Sequence, residues 1–282
     1  MKRIRSFTIC LLAAGLLAAA SNAQNLTPQE VIEKHLAAVG TKEKRDAVRS
    51  LIATGTSEFE VKVPVIKGGG KAVMVSDPDD LFFVISLNSR DYPFEKIGYF
   101  KNKVDLPYSS PGNRSLLGGF LKENSGILTD GLFSGVMSLR WTLQGVEKHK
   151  IKIESGGTKK IDGRKMYVLN FNPASTAANE LKIKLYFDSE TFNHVRTEYR
   201  REIGVGNVVF GQQNQQGSTV LTLTEDFSDF KDEEGLNLPH TYRITFLSNS
   251  SRSTDENIWG MKVAKYVFNQ ALAPDFFTFD AK

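Results

Sequence analysis

The chain has 282 residues, of which 40% are hydrophobic, 24% charged and 10% aromatic, and its formal net charge is +4. This is an ordinary globular composition with enough apolar side chains for a sizeable core, so it excludes a mainly disordered, collagen-like or coiled-coil chain. The single cysteine excludes a disulfide framework and a multi-cysteine zinc or iron–sulfur site.

Residues 1–23 have the pattern of a secretory signal peptide. Three cations in the first five residues precede the apolar stretch Phe7–Ala20, and the small residues of Ser21–Ala23 precede a cleavage site. The apolar run is shorter than the roughly 20 residues of a membrane-spanning helix. Cleavage removes Cys10 and lowers the net charge to +1, which leaves no electrostatic basis for nucleic-acid binding. We expect a periplasmic protein, not membrane-spanning once mature, whose residues 24–282 form one domain.

The mature chain opens with a helix signal. Thr27 suits the N-cap, Pro28 the first helical position, and Glu30 completes the spacing of a capping box. Apolar residues then recur at helical spacing up to Gly40, which suits the end of a helix. The pattern predicts an amphipathic helix over 28–40 that lies against an apolar surface.

From Leu51 onward the hydrophobic period changes from helical to two. Phe59, Val61, Val63 and Val65 alternate with polar residues, which predicts a strand with one buried face. Turn residues separate the strands that follow. The expected order is a turn at Lys67–Lys71, a strand at Ala72–Ser76, a turn at Asp77–Asp80 and a strand at Leu81–Leu87.

The second half of the chain repeats this style. The alternation predicts strands at Lys165–Asn172, Leu181–Phe187, His194–Ile203, Ser218–Phe230, Leu236–Ser248 and Ile258–Gln270. Without strand–helix alternation, a parallel sheet is not expected. The polar tracts Gly204–Gly217 and Ser248–Asn257 indicate loops. The apolar triplet Val208–Phe210 in the first tract either extends the preceding strand or contacts a partner or membrane.

Residues 112–138, which we call the helical insert, interrupt the strand pattern. Leu116, Leu117, Phe120 and Leu121 share one helical stripe, and further apolar residues follow among five glycines. Because glycine lowers helix stability, the pattern predicts two short helices with flexible joints. The insert either closes the core or forms a lid over a hydrophobic surface.

No motif for catalysis or metal binding is present. The four histidines, His35, His149, His194 and His240, stand apart and form no His-Glu-x-x-His pattern. No Gly-x-Ser-x-Gly nucleophile elbow occurs, and Ala72 replaces the Ser or Thr that a phosphate-binding loop needs after its lysine. We expect no enzyme, metal or cofactor. A hydrolase whose carboxylates meet only in space stays an alternative.

The mature chain resembles a known family in the layout of its ends and its centre. The residues that carry the resemblance are Val31–Gly40, Leu51–Gly55, Arg114–Leu121, Gly131–Gly135, Gly235–His240, Tyr242–Phe246, Val267–Asn269 and Pro274–Phe277. This layout is similar to that of periplasmic outer-membrane lipoprotein-sorting proteins of the LolA-like carrier type. The resemblance implies an open, incomplete antiparallel β-barrel of about eleven strands whose concave face is covered by helices.

The resemblance also implies a function: acyl chains of lipids or lipoproteins bind in the concave face and pass to an acceptor at the outer membrane, as in a transport chaperone. An apolar cavity suits this role, because burial of hydrocarbon gains about 0.8 kcal/mol per methylene. The alternative is an envelope lipid-state sensor or protein-interaction module on the same fold, with an inner-membrane partner. The candidate cavity residues are Phe59, Val61, Val63, Phe82, Val84, Leu181, Ile183, Leu185 and Phe187 on strands, and Leu117, Phe120, Leu121, Leu132 and Phe133 in the helical insert.

Overall fold

The protein is mainly β, with one antiparallel sheet of twelve strands that does not close. We describe it from a computed structural model that covers residues 26–148, 151–173, 181–203, 218–273 and 275–279. The strand order is β5-β4-β3-β2-β1-β12-β11-β10-β9-β8-β7-β6, so β5 and β6 are its free edges. The signal-peptide pattern and the Val208–Phe210 triplet lie outside the described residues.

Helices and strands occur in separate runs along the chain and do not alternate one by one. The α-helices in the described ranges are α1 Pro28–Val39, α2 Lys42–Ala47, α3 Leu116–Glu123 and α4 Gly126–Thr129, and 3₁₀ segments follow at Gly135–Met137 and Thr142–Lys148. The strands are β1 Leu51–Val61, β2 Ile66–Ser76, β3 Leu81–Ser86, β4 Phe94–Phe100, β5 Lys103–Asp105, β6 Lys152–Ile161, β7 Arg164–Asn172, β8 Lys182–Asp188, β9 His194–Ile203, β10 Thr219–Glu233, β11 Leu236–Asn249 and β12 Thr254–Phe268.

Helix α1 forms as its sequence predicts. The Thr27 side chain accepts from the Glu30 amide while the Glu30 carboxylate accepts from the Thr27 amide, which completes the capping box. The buried stripe of α1 includes Val31 and Ile32, and His35 from the same stripe lies 5.0 Å from the Phe187 ring of β8. Helix α1 therefore covers the β8 side of the sheet. No helix within the described ranges combines the length and apolarity needed to span a membrane.

The first hairpin differs from its predicted form. Strand β1 ends at Val61, the turn is residues 62–65, and the predicted turn Lys67–Lys71 lies inside strand β2. The glycine run belongs to a close strand contact, because a Cβ on Gly69 would lie 2.5 Å from the Ser57 carbonyl oxygen. The glycines therefore mark the approach of neighbouring strands and not a change of direction.

Strand β6 and helix α2 were not predicted. Among the described strands β6 pairs with β7 alone, and most of its residues are exposed, so it carries no apolar alternation that sequence reasoning could detect. Helix α2 buries no residue and starts from the Thr41 side chain, which caps the Lys44 amide. Both elements form through local and edge contacts instead of through a buried face.

The sheet curls around the helical insert. Phe83 of β3 and Tyr242 of β11 lie on strands four positions apart, which would be about 19 Å in a flat sheet. Their ring centroids are only 5.9 Å apart, and Phe133 of the helical insert contacts both rings. The two halves of the sheet therefore face each other across the insert, and side chains from both halves join one apolar core.

Candidate functional site

The helical insert fills the concave face of the sheet. Its five candidate cavity residues, Leu117, Phe120, Leu121, Leu132 and Phe133, are at most 3% exposed. They reach across to the sheet, where the Phe120 ring lies 5.6 Å from the Phe246 ring of β11. In this closed arrangement, the hollow that the sequence predicted behind the insert is occupied by the insert's own side chains.

The candidate residues on β8, together with Leu181 just before it, are also core residues. Leu181, Ile183, Leu185 and Phe187 are at most 5% exposed. Helix α1 covers this region, with His35 against Phe187. These four residues lie on the concave face, as the alternation predicts, but α1 separates Phe187 from solvent.

Three candidate residues lie elsewhere than predicted. In β3 the buried positions are Leu81, Phe83 and Ile85, so Phe82 and Val84 point to the opposite, convex face. On that face the Phe82 ring contacts two rings of the C-terminal segment. Its centroid lies 5.5 Å from that of Phe276 and 4.7 Å from that of Phe279. Val63 lies in the turn after β1 and is 69% exposed. The side chains of β3 do alternate between two faces, but the prediction that Phe82 and Val84 face the core was wrong.

A small aromatic cavity opens where the helical insert begins. We call it the aromatic pocket: a volume of about 290 Å³ bounded by Phe59 of β1, Trp259 of β12 and Tyr92 before β4, together with residues of the first turn of α3. The Phe59 ring lies 5.0 Å from Tyr92 and 5.6 Å from Trp259. Leu116 of α3, which is 52% exposed, also borders this pocket.

The rim of the aromatic pocket is polar. It includes Arg114, Asp91, Ser109, Ser115 and Asn257. The Arg114 guanidinium donates to the Leu106 carbonyl and lies over the Tyr108 ring. Because the rim holds one cation and one anion, it sets no preference for the charge of a ligand's headgroup.

A chain of hydrogen bonds runs from the aromatic pocket into the core. The Trp259 indole donates to the Tyr92 hydroxyl at 2.8 Å, and Tyr92 donates to the buried carboxylate of Glu95. Burial raises the pKa of Glu95 to about 7, although hydrogen bonds from Ser115 and Tyr92 oppose that rise. Ser115 also caps α3 by accepting from the Gly118 amide. The first end of the helical insert is thus attached to the sheet through Glu95.

The second end of the helical insert is attached through Glu225 of β10. Its carboxylate accepts from the Ser134 amide and the Tyr199 hydroxyl, both at 2.7 Å, and from the Tyr242 hydroxyl. Burial raises the pKa of Glu225 to about 7, while these three donors favour the charged form. The sequence signal was a glutamate at a core-facing position between Leu223 and Phe227, and sequence reasoning missed it.

A larger cavity of about 640 Å³ lies at the other end of the insert and is polar. Its charged lining consists of Arg45, Arg49, Arg140, Asp46, Asp79 and Asp130. Arg140 stacks on Tyr99 with its guanidinium carbon 3.7 Å from the ring centroid, and it donates to the Leu128 and Thr129 carbonyls at the end of α4. Most of this lining is polar, and Val48, Leu139 and Trp141 contribute apolar surface between the charged groups.

The histidines of the described chain act as structural groups. The Trp141 indole donates to His35 Nε2 at 3.0 Å, so His35 Nδ1 carries the proton that bonds the Phe192 carbonyl. Burial lowers the pKa of His35 to about 4 and lowers that of His194 well below its ordinary value, so both rings are neutral at pH 7. Within the described residues, no three His, Cys, Asp or Glu side chains group as a metal site.

Comparisons with known proteins find likenesses in structure alone. No family model matches the chain, and no curated protein matches it. It is similar to the structure of a LolA superfamily protein from Nitrosomonas europaea, at 12% identity over 90% of this chain and 98% of that one, with a TM-score of 0.48. It is also similar to the structure of an outer membrane lipoprotein-sorting protein domain from Vibrio parahaemolyticus, at 13% identity over 88% of this chain and 96% of that one, with a TM-score of 0.46.

A third structure, a DUF1329 family protein from Desulfovibrio piger, is similar at 12% identity over 89% of this chain and 97% of that one, with a TM-score of 0.46. Identities this low leave the ligand and partners of the chain to be argued from its own geometry.

Proposed function

We propose that the protein is a periplasmic binding protein for acyl chains, which enter at the aromatic pocket and extend along the concave face as the helical insert moves aside. In its finer form, the proposal is a carrier that passes lipid or lipoprotein acyl chains to an acceptor at the outer membrane. The leader-like residues 1–23 and the resemblance of the sequence to lipoprotein-sorting proteins support the periplasmic location.

The aromatic pocket is the observation that carries this proposal. Phe59, Tyr92 and Trp259 form an aromatic part of its lining beside Leu116, and five polar or charged residues form the rest. Ligand pockets typically have volumes of about 300–1,000 Å³ and an apolar lining with few polar groups. At about 290 Å³ the pocket lies just below that range, so it suits the end of a chain and not a whole lipid.

Movement of the helical insert would supply the remaining volume. The insert contacts the sheet mainly through apolar side chains, including Leu117, Phe120 and Phe133. Such contacts are non-directional, so a hydrocarbon chain can replace them. The hydrogen bonds of the insert to Glu95 and Glu225 lie at its two ends, outside this apolar contact. Each methylene that is buried then contributes about 0.8 kcal/mol, which offsets the contacts that the insert gives up.

The direct test combines native ligand detection with a binding titration. Protein isolated gently from its own envelope is extracted, and retained lipid is identified by mass spectrometry. The lipid-free protein is then titrated with a fluorescent C16 fatty acid. We expect extractable acyl lipid and saturable binding of the probe.

The matched variants are Leu116→Asp and Ile203→Asp. Both place a carboxylate at an exposed apolar position, but only Leu116 borders the aromatic pocket. An aspartate at the first position of α3 suits the helix N-terminus, so the fold is retained. We expect Leu116→Asp to weaken probe binding at least tenfold and Ile203→Asp to leave it unchanged. Equal effects of the two variants, or no saturable binding, would overturn the proposal.

A further inference from the structure

The turn between β1 and β2 presents an apolar surface to solvent. We call residues 61–67 the hairpin tip. Within it Val63 is 69% exposed, Val65 70% and Ile66 52%, and Val61 is half-buried. Single exposed apolar residues are normal on protein surfaces, but three within four consecutive positions form a patch that commonly marks an interaction site.

The hairpin tip extends beyond the strands on either side of it. On the β12 side the last backbone contact is from the Lys62 amide to the Glu256 carbonyl at 3.1 Å. On the β3 side it is from the Gly69 amide to the Leu87 carbonyl at 3.2 Å. Residues 63–66 lie past both contacts, so neither neighbouring segment covers their side chains.

The charges beside the hairpin tip fit a lipid surface. Lys62 and Lys67 flank the apolar residues, and both ammonium groups lie within 4 Å of the Glu60 carboxylate, at 3.0 and 3.6 Å. The group therefore carries a small excess of positive charge. Lysine can bury its alkyl stem against acyl chains while its ammonium group stays among the headgroups. Apolar side chains at the end, with lysines set back from it, are an arrangement that suits a bilayer interface.

The hairpin tip lies beside the mouth of the aromatic pocket. Phe59 precedes Val61 by two positions and so lies on the same face of β1. Val61 pairs with Asn257 and Phe59 pairs with Trp259, and these partners both line the pocket. Phe59 lies about 7 Å along β1 from Val61, where the turn begins, so a tip inserted at the headgroup level holds the pocket mouth close to the lipid surface.

We infer that the hairpin tip inserts into the interface of a phospholipid bilayer and that this contact orients the aromatic pocket toward the membrane. Insertion of Val63, Val65 and Ile66 supplies the main attraction, and the lysines add a weaker one. The contact is a surface docking of the protein, distinct from the binding of an acyl chain inside the fold.

Vesicle partition tests this inference. The protein is sedimented with extruded vesicles of phosphatidylcholine alone and of phosphatidylcholine with 30% phosphatidylglycerol, at 0.1 and 0.5 M NaCl. We expect the protein to bind both kinds of vesicle, with a few-fold stronger partition when phosphatidylglycerol is present. Raising the salt to 0.5 M should lower the partition by no more than threefold. The variant V63S/V65S/I66S should lose at least tenfold in partition, whereas Phe276→Ser, which removes an exposed ring of the C-terminal segment, should not.

A local probe gives a second reading that does not depend on the triple variant. In the chain of residues 24–282, which has no cysteine, an environment-sensitive fluorophore on Val65→Cys should shift to shorter wavelength when vesicles are added, and the same label on Lys160→Cys of β6 should not. Absence of vesicle binding, binding that survives in the triple variant, or binding lost in 0.5 M NaCl would each overturn the inference.

Binding of the fluorescent C16 fatty acid to the same variants separates the two proposals. We expect the triple variant to bind the fatty acid as tightly as the wild type in the absence of vesicles. Loss of vesicle binding with intact fatty-acid binding assigns the hairpin tip to docking. Loss of both activities in a folded triple variant would contradict the separate docking role.

Discussion

Glu225 places a carboxyl group at the centre of the core, between the helical insert and two tyrosines of the sheet. Its pKa of about 7 lies above the ordinary value of 4.5 because burial disfavours the charged form. A carboxyl group whose pKa is raised by folding binds protons more tightly in the folded state. Its contribution to stability is therefore fully present below about pH 4.5 and is lost as the pH rises through 7.

We predict that the difference in the free energy of unfolding between the wild type and Glu225→Gln depends on pH. We expect the stability of the wild type relative to the variant to fall between pH 5 and pH 8, by on the order of 2–3 kcal/mol. Urea unfolding at both pH values measures it. Both proteins must be compared at each pH, because the lowered pKa values of His35 and His194 make the fold less stable at acid pH. This effect is common to the two proteins and cancels in the difference. A difference that does not change with pH would show that Glu225 is not buried as described.

Phe59 and Phe82 provide a matched pair for the acyl-binding proposal. The sequence placed both on the concave face, but only Phe59 borders the aromatic pocket, while Phe82 lies under the C-terminal aromatic rings on the convex face. We expect Phe59→Ala to weaken fatty-acid binding about tenfold and Phe82→Ala to leave it within twofold. Titration of each purified variant checks this, with thermal unfolding as the control for folding. Equal losses would place the binding site elsewhere.

At the level of residues, alternation predicts which side chains share a face but not which face is inside. In β3 both alternating sets are apolar, since Phe82 and Val84 cover the convex face under the C-terminal segment while Phe83 and Ile85 enter the core. Only the tertiary contact with Phe276 and Phe279 resolves the choice, and these residues lie almost 200 positions away in the sequence. The local pattern contains no information on that contact.

At the level of elements, α3 carries two adjacent glycines with different surroundings. A Cβ on Gly119 meets nothing within 4 Å, whereas a Cβ on Gly118 would lie 3.1 Å from the Arg114 side chain and 3.2 Å from the Glu95 carboxylate. Gly119→Ala should therefore stabilise α3 by about 1 kcal/mol, because alanine loses less backbone entropy in a helix.

The measurement is thermal unfolding together with amide hydrogen exchange in α3. For Gly119→Ala we expect a midpoint raised by about 2–4 °C and slower exchange in the helix. Gly118→Ala serves as the contrasting variant, because the neighbours of its Cβ must shift, and its midpoint should not rise. A higher midpoint for Gly118→Ala than for Gly119→Ala would contradict the packing of α3 on Glu95.

Elements with a strong local signal were predicted well, and those without one were not. Helix α1 and strand β9 have the bounds that capping residues and turn residues indicated, to within one residue. The hairpin turn was misplaced because Gly68–Gly70 is a common turn signal, although here it permits close strand approach. Edge strand β6 escaped prediction because both of its faces are largely exposed.

For the whole molecule, the sequence indicated a curved antiparallel sheet covered by helices but not whether the covered face is hollow. That outcome depends on contacts between distant segments, such as Phe120 with Phe246 and Ser134 with Glu225. In the closed structure the helical insert occupies the space that an acyl chain would need. We therefore expect that ligand binding displaces the insert from the sheet.

Distance measurement between paired spin labels tests this claim most directly. Cysteines replace Lys122 on α3 and Lys262 on β12 in the chain of residues 24–282, which has no other cysteine, and a Lys160/Lys262 pair within the sheet serves as the control. With saturating palmitate, we predict a longer and broader distance distribution for the α3–β12 pair and no change for the sheet pair. Stoichiometric palmitate binding with an unchanged α3–β12 distribution would contradict displacement of the helical insert.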